Sequence, residues 1–148
     1  MIPKQIRISP RLEAVVKALP LRPGMRVLEI GCGPGPAARA VAHLIGEGHV
    51  LAIDRSEKAI VQAERNAREE INFGHLEFRQ VAIEDFELEP GEEHFDLAFA
   101  IRVGALDGRH PQVGQKALRQ IAKALKPGGR LYIDGGNPLR EIAIANYR

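Results

Sequence analysis

The sequence lacks most of the features that mark secreted, membrane-spanning or nucleic-acid-binding proteins. Its single cysteine, Cys32, excludes an internal disulfide and favours a reducing, cytoplasmic setting. There is no run of about eighteen apolar residues and no N-terminal signal pattern, so we expect neither a membrane span nor secretion. The formal net charge is only +2 and the basic residues are scattered, which argues against nucleic acid as a partner.

The composition that remains is typical of one folded domain. The chain has 148 residues, of which 45% are hydrophobic and 27% are charged, enough for one substantial core. We therefore expect a single domain over residues 1–148. It would consist of an N-terminal helical segment (1–21), a core (22–136) and a C-terminal tail (137–148).

Segments with strand and helix periodicity alternate along the chain. Helical spacing is present over Ser9–Leu19, Glu57–Glu70 and Val113–Leu125, and a further helix opens at Pro36. The predicted strands are Arg26–Ile30, His49–Ile53, His75–Ala82, Phe95–Ile101 and Arg130–Asp134. Alternation of this kind predicts a parallel sheet with right-handed crossovers and helices on both faces.

A glycine-rich turn follows the first predicted strand. Gly31, Gly33 and Gly35 lie between that strand and the helix that opens at Pro36. Glycines allow the backbone to turn sharply and to approach a ligand closely. The second predicted strand ends in Asp54, where a carboxylate can accept hydrogen bonds from ribose hydroxyls. These features predict a nucleotide-like ligand, although the turn can also serve close packing and Asp54 can also cap the following helix.

The spacing of the turn does not fit the dinucleotide fingerprint, because the third glycine of G-x-G-x-x-G would fall at Pro36. The observed pattern is E-x-G-x-G-x-G and begins at Glu29. A carboxylate there would repel a pyrophosphate, and it suits a ligand with an amino group and a positive centre. The pattern resembles motif I of the class I S-adenosylmethionine (SAM)-dependent methyltransferases. The resemblance covers roughly residues 22–136 and includes the segments His94–Phe99 and Leu125–Leu131.

The resemblance implies a Rossmann-like three-layer α/β sandwich whose mainly parallel sheet has the strand order 3-2-1-4-5. It also implies SAM as cofactor and S-adenosylhomocysteine (SAH) as product, with Asp54 on the ribose and Glu29 near the methionine end. The implied cofactor-binding residues are Glu29, Gly31, Cys32, Gly33, Gly35, Asp54, Arg55, Ile83, Glu84 and Arg102.

The sequence departs from the family pattern at two places. Ala82 stands where the family often has an acid that meets the adenine amino group, so the N–H of Ile83, or Glu84 or Asp85, would have to replace it. Only residues 137–148 follow the core, too few for the antiparallel hairpin that usually closes the family's sheet. We expect this tail to pack along the exposed fifth strand, in its own subunit or across the two-fold axis of a homodimer.

The segment after the fourth predicted strand is where the methyl acceptor would bind. It carries neither Asn-Pro-Pro-Tyr nor Asp-Pro-Pro-Tyr, the family's mark for methylation of amide or base nitrogens. His110 and Asp107 are candidates for a general base. Arg102 or Arg109 can hold an anionic substrate, and each of these side chains can instead be simply solvated.

The expected function is methyl transfer from SAM to a small molecule. Two alternatives stay open: a non-catalytic SAM-binding module or partner-dependent subunit, and, less favoured because of Pro36 and Glu29, an NAD-dependent oxidoreductase. No metal site is predicted.

Overall fold

Strands and helices alternate along the chain as the periodicity predicts. The computed structural model describes residues 2–148. The strands are β1 (Arg26–Ile30), β2 (His49–Asp54), β3 (Leu76–Gln80), β4 (Phe95–Ala100), β5 (Leu125–Asp134) and β6 (Leu139–Ile142). The helices are α1 (Pro10–Ala18), α2 (Pro36–Leu44), α3 (Glu57–Asn66), α4 (Arg68–Asn72) and α5 (Pro111–Ala124), with 3₁₀ turns at Ile83–Asp85 and Ile144–Tyr147.

One sheet with the strand order β3-β2-β1-β4-β5-β6 forms the middle layer. Strands β1 to β5 run parallel, and β1 lies at the centre, with Val27 opposite Val50 of β2 and Leu97 of β4. The predicted order 3-2-1-4-5 and the Rossmann-like α/β class are therefore confirmed. Because the order reverses at β1, the carboxyl ends of β1, β2 and β4 meet beside one crevice.

Two apolar layers hold the helices against the sheet. Side chains alternate along β1, so Val27 belongs to the layer under α1, α2 and α3, while Leu28 and Ile30 belong to the layer under α5. By the same alternation Glu29 points to the α2 side, although it is a buried acid among apolar neighbours. The alternation along β1 therefore places apolar side chains in both core layers and also determines which face Glu29 occupies.

The helix predicted over Glu57–Glu70 is interrupted and forms α3 and α4. Ala67, with φ −110° and ψ 25°, ends α3 with its N–H bonded to the carbonyl of Ala63, and α4 starts at Arg68. Glu70 is buried and accepts hydrogen bonds from Arg39 at 3.0 Å and His43 at 2.8 Å, both on α2. These charge-assisted bonds orient α4, and they are long-range contacts that helical periodicity does not encode.

The sheet has a sixth strand, so the predicted five-stranded sheet with an exposed fifth strand is wrong at this edge. β6 pairs antiparallel with β5, from Asp134 opposite Leu139 to Leu131 opposite Ile142. The tail thus packs along β5 within its own chain, which is one of the two arrangements expected. The backbone groups of β5 find partners there, and the outer edge of β6 takes the place of the sheet edge.

Candidate cofactor site

The glycine-rich loop after β1 is fixed to the end of β2 by backbone hydrogen bonds. The N–H groups of Gly31 and Cys32 both donate to the carbonyl of Ile53, at 2.8 and 3.0 Å. Gly31 has φ +72°, and a Cβ there would lie 2.7 Å from Cγ2 of Val103. The loop can therefore adopt this path only with glycine at its first position.

Asp54, at the end of β2, binds the same loop through its side chain. Its Oδ2 accepts the N–H of Gly33 at 2.9 Å, and its Oδ1 accepts the N–H of Ser56 at 2.9 Å. The cap of α3 is the hydroxyl of Ser56, which accepts the N–H of Ala59 at 3.2 Å. Asp54 therefore places a carboxylate between the glycine loop and α3, at the wall of a large cavity.

Glu29 is the most unusual group at this end of the sheet. It is only 3% exposed, and its Oε1 has no hydrogen-bond partner within residues 2–148. Burial, followed by the charge of Asp54, raises its pKa from 4.5 to about 8, while the backbone N–H of Ala38 in the first turn of α2 acts in the opposite direction. A buried, unsatisfied carboxyl group of this kind is a binding position for a cation or a hydrogen-bond donor.

Two adjoining cavities open at the carboxyl end of the sheet. The larger has a volume of about 490 Å³ and the smaller about 200 Å³. Gly31 and Arg102 line both, and Glu29 lines the smaller. Most of the predicted cofactor residues line the larger one: Gly31, Asp54, Arg55, Ile83, Glu84 and Arg102.

Apart from Glu29 on β1, the remaining predicted cofactor residues belong to the loop itself. Cys32 lines the smaller cavity and is buried; burial, then the charges of Glu29 and Asp54, raise the pKa of its thiol well above the usual range. The thiol is therefore neutral and serves packing. Gly35 has φ +90°, and a Cβ there would lie 3.0 Å from the ring of Phe78, so it allows α2 to start close to β3.

The segment between β4 and α5 brings only part of the predicted substrate residues to the cavity. His110 and Arg109 line the larger cavity. Asp107 forms an ion pair with Arg109 at 2.7 Å, and this hydrogen bond holds its pKa below the usual range. Arg102 adopts φ +58°, rare for a side chain of its size, and its N–H donates to Oδ1 of Asp134 at 3.1 Å.

The structure adds site residues that the sequence interpretation did not include. Four residues of the α1 region line the smaller cavity together with Glu29: Ser9, Arg11, Leu12 and Val15. The helical pattern identified the apolar face of α1, but nothing in a single sequence shows which part of the sheet that face covers. Val103 and Val113 form apolar walls of the larger cavity. The sequence did not identify them as site residues, because it does not show which cavity they line.

Comparison with known proteins agrees with this geometry. A sequence profile described as a methyltransferase domain matches residues 21–145, most of the chain. This chain belongs to the class I SAM-dependent methyltransferase family. Protein-L-isoaspartate O-methyltransferase 1 of Arabidopsis thaliana is 28% identical over 127 residues, 85% of this chain and 52% of that protein. The tRNA (adenine(58)-N(1))-methyltransferase TrmI of Thermus thermophilus is 38% identical over 115 residues, 77% of this chain and 41% of that protein.

Solved structures show the same fold. Coclaurine N-methyltransferase, determined with N-methylheliamine and SAH, superposes with a TM-score of 0.68 at 23% identity, over 82% of this chain and 34% of that one. SAM is the cofactor of the family, and its members act on protein, small molecules and tRNA. The chain spans about half of the Arabidopsis relative and less of the Thermus relative.

Two features are absent from residues 2–148. None of their helices is long and apolar enough to cross a membrane. They contain no group of three or more His, Cys, Asp or Glu side chains arranged to hold a metal ion.

Proposed function

We propose that this protein transfers a methyl group from SAM to a small molecule. The observation that supports this most directly is Glu29, a buried carboxyl group with an unpartnered oxygen beside the glycine loop. A ligand that brings a positive charge or a hydrogen-bond donor satisfies such a group and favours its ionised form. The site therefore fits SAM, with the ribose on Asp54 and the adenine near Ile83 and Glu84 in the larger cavity.

The adenine contact proposed for Ile83 has a basis in the 3₁₀ turn after β3. Ile83 opens this turn, and the turn's own bonds run from Asp85 to Ala82 and from Phe86 to Ile83. The N–H of Ile83 is therefore not used by the turn and can donate to the adenine ring. Glu84 lines the same cavity, whereas Asp85 is exposed and pairs with Lys116 at 3.2 Å.

The protein's part in catalysis is to position the acceptor and exclude water. SAM supplies a methyl group already activated on a sulfonium, so proximity and orientation can provide much of the rate. Apolar walls from Val103 and Val113 limit water at the larger cavity. His110 lines this cavity and can take the acceptor's proton, while Asp107 is held by Arg109.

A small-molecule acceptor fits the electrostatics better than a nucleic acid does. The net charge is close to neutral for the whole chain, and the basic residues at the cavity are partly paired with carboxylates. The alternative is a SAM-binding module that needs a partner to complete its acceptor pocket. This alternative is supported by the fact that the chain spans only part of the length of its relatives.

Two experiments test this proposal: the first identifies the ligand, and the second measures methyl transfer. Thermal-shift titration with SAH should stabilise the protein, whereas NAD should not. Transfer of labelled methyl from SAM should then be measured across pools of small metabolites. Stabilisation by NAD and not by SAH would overturn the proposal. Binding of SAH without transfer to any pool would favour the module.

We further propose that the protein is cytoplasmic and forms a homodimer through the outer edge of β6. The free thiol of Cys32 suits a reducing compartment, which fractionation of the source cells would test. The outer edge of β6 carries backbone N–H and C=O groups with which the same strand of a second copy can pair, antiparallel about a two-fold axis.

A further inference from the structure

The ionisable side chains that line the larger cavity are divided between two sides. Both carboxylates lie on the first side, Asp54 at the end of β2 and Glu84 in the turn after β3, with Arg55 next to Asp54. The ionisable side chains that the segment between β4 and α5 contributes to the second side are all basic: Arg102, Arg109 and His110. Because the proposed function assigns the adenosine of SAM to the first side, the second side is left for the acceptor.

Arg109 is held in a way that leaves its terminal nitrogens available. Both carboxylate oxygens of Asp107 accept from Nε of Arg109, at 3.0 and 2.7 Å, and Oδ1 also accepts its backbone N–H at 3.1 Å. Neither Nη atom of Arg109 donates a hydrogen bond within residues 2–148. These two nitrogens carry most of the donors of a guanidinium, and they suit a bidentate contact with a carboxylate or a phosphate.

Gly104 allows Arg109 and His110 to lie together at the wall of this cavity. A Cβ at Gly104 would lie 3.0 Å from Nη2 of Arg109 and 3.4 Å from Cδ2 of His110. Both side chains therefore lie against the same stretch of backbone. A ligand group bound by Nη2 of Arg109 is then close to the imidazole that can take the acceptor's proton.

We propose that the acceptor is a small organic acid whose carboxylate or phosphate group binds Arg109 and whose apolar body lies against Val103 and Val113. Arg109 is favoured over Arg102 because Arg102 also lines the smaller cavity with Glu29, whereas Arg109 lines only the larger one. A neutral acceptor would leave the terminal nitrogens of Arg109 without a charged partner. The inference rests on the proposed function, because it names the class of acceptor for the same site.

Three probes that share one ring test the charge preference: benzoate, phenyl phosphate and benzamide. Each is titrated by ligand-observed NMR into the protein saturated with SAH. At least one acid should bind about fivefold more tightly than benzamide, which has the shape of benzoate without its charge. The tighter of the two acids shows whether the site prefers a carboxylate or a phosphate.

Replacement of Arg109 assigns this preference to one side chain. Arg109→Ala should bind the acids and benzamide equally, because the charge-assisted contact is lost with the acids only. Arg109→Lys should recover part of the preference, since it keeps the charge without the bidentate geometry. Arg109 is exposed, so the fold should survive, which circular dichroism checks, and Arg109→Gln supplies a second neutral variant.

Arg119→Ala is the matched control, because Arg119 is an exposed arginine of α5 that lines neither cavity. It removes the same charge and should leave the preference for acids unchanged. Equal binding of all three probes, binding of none, or a preference that survives in Arg109→Ala would overturn the inference. An equal loss in Arg119→Ala would also overturn it, because the effect would then come from net charge. In each case binding of SAH would leave the proposed function standing, whereas failure to bind SAH would overturn the proposed function itself.

Discussion

Oδ2 of Asp54 accepts the backbone N–H of Gly33 at 2.9 Å, which ties the end of β2 to the middle of the glycine loop. The same carboxylate therefore has a structural task before any ligand binds. Replacing it would remove a ligand contact and loosen the loop that shapes the site. A variant that separates these two effects is needed to show a role in binding.

We expect Asp54→Ala to weaken SAH by about ten- to a hundredfold. Hydrogen bonds to a charged acceptor are each worth roughly 1.5–3 kcal/mol. Asp54→Asn keeps one acceptor oxygen for the N–H of Gly33 but removes the charge, so its loss of affinity should be intermediate. Calorimetry on both folded variants measures this. Unchanged affinity in Asp54→Ala would rule out a ribose contact.

Glu29 makes stability depend on pH. Its pKa rises from 4.5 to about 8 on folding, so between these values the folded state holds a proton that the unfolded state has lost. The contribution of Glu29 is fully present below about pH 4.5 and is lost as the pH rises to about 8. The loss is on the order of a few kcal/mol. Urea unfolding of Glu29→Gln should therefore show a smaller fall in stability from pH 5 to pH 8.

Glu64→Gln is the control for this measurement, because Glu64 is an exposed carboxylate on α3. Its pH dependence should match that of the unaltered protein. Parallel pH profiles for Glu29→Gln and the unaltered protein would contradict the raised pKa of Glu29.

Alanine substitution at two glycines of the loop distinguishes the cost of backbone strain from the cost of a steric clash. Gly31 has φ +72° and would place a Cβ 2.7 Å from Val103, whereas Gly33 has φ +55° and open space around it. Gly33→Ala should cost about 1–2 kcal/mol of strain, and Gly31→Ala about 1–3 kcal/mol more. Urea denaturation gives both values. Val103→Ala should reduce the added cost at position 31, and the absence of such coupling in the double-variant cycle would refute the clash.

The local pattern was sufficient to predict the centre of the fold. The glycine spacing, Glu29 and Asp54 lie within β1, β2 and the loop between β1 and α2, so short-range signals define them and the parallel sheet brings them together. The break at Ala67 has no such signal, because neither glycine nor proline marks it and the bonds of Glu70 to α2 come from tertiary contacts. The same limit applies to Arg11: helical periodicity predicts its helix, but its place beside Glu29 in the lining of one cavity depends on long-range packing.

The C-terminal tail, residues 137–148, shows that a short strand cannot be predicted from the periodicity of its side chains. Four residues, Leu139–Ile142, form β6, too few for a clear alternation of polar and apolar side chains. The pairing of β6 depends on the open edge of β5. The sequence therefore predicts that the tail packs along β5, but it does not predict that the tail forms a strand there.

That edge provides the last prediction, which concerns assembly. If β6 pairs with its copy, light scattering at micromolar concentration should give about twice the chain mass of 16.3 kDa. Deletion of residues 142–148 removes the end of β6 and should shift the protein to monomer, and circular dichroism checks that the shortened chain stays folded. Because β6 has only four residues, the association should be weak and concentration-dependent. A single monomeric species at all concentrations, or a dimer that survives the deletion in a folded chain, would place any dimer interface elsewhere.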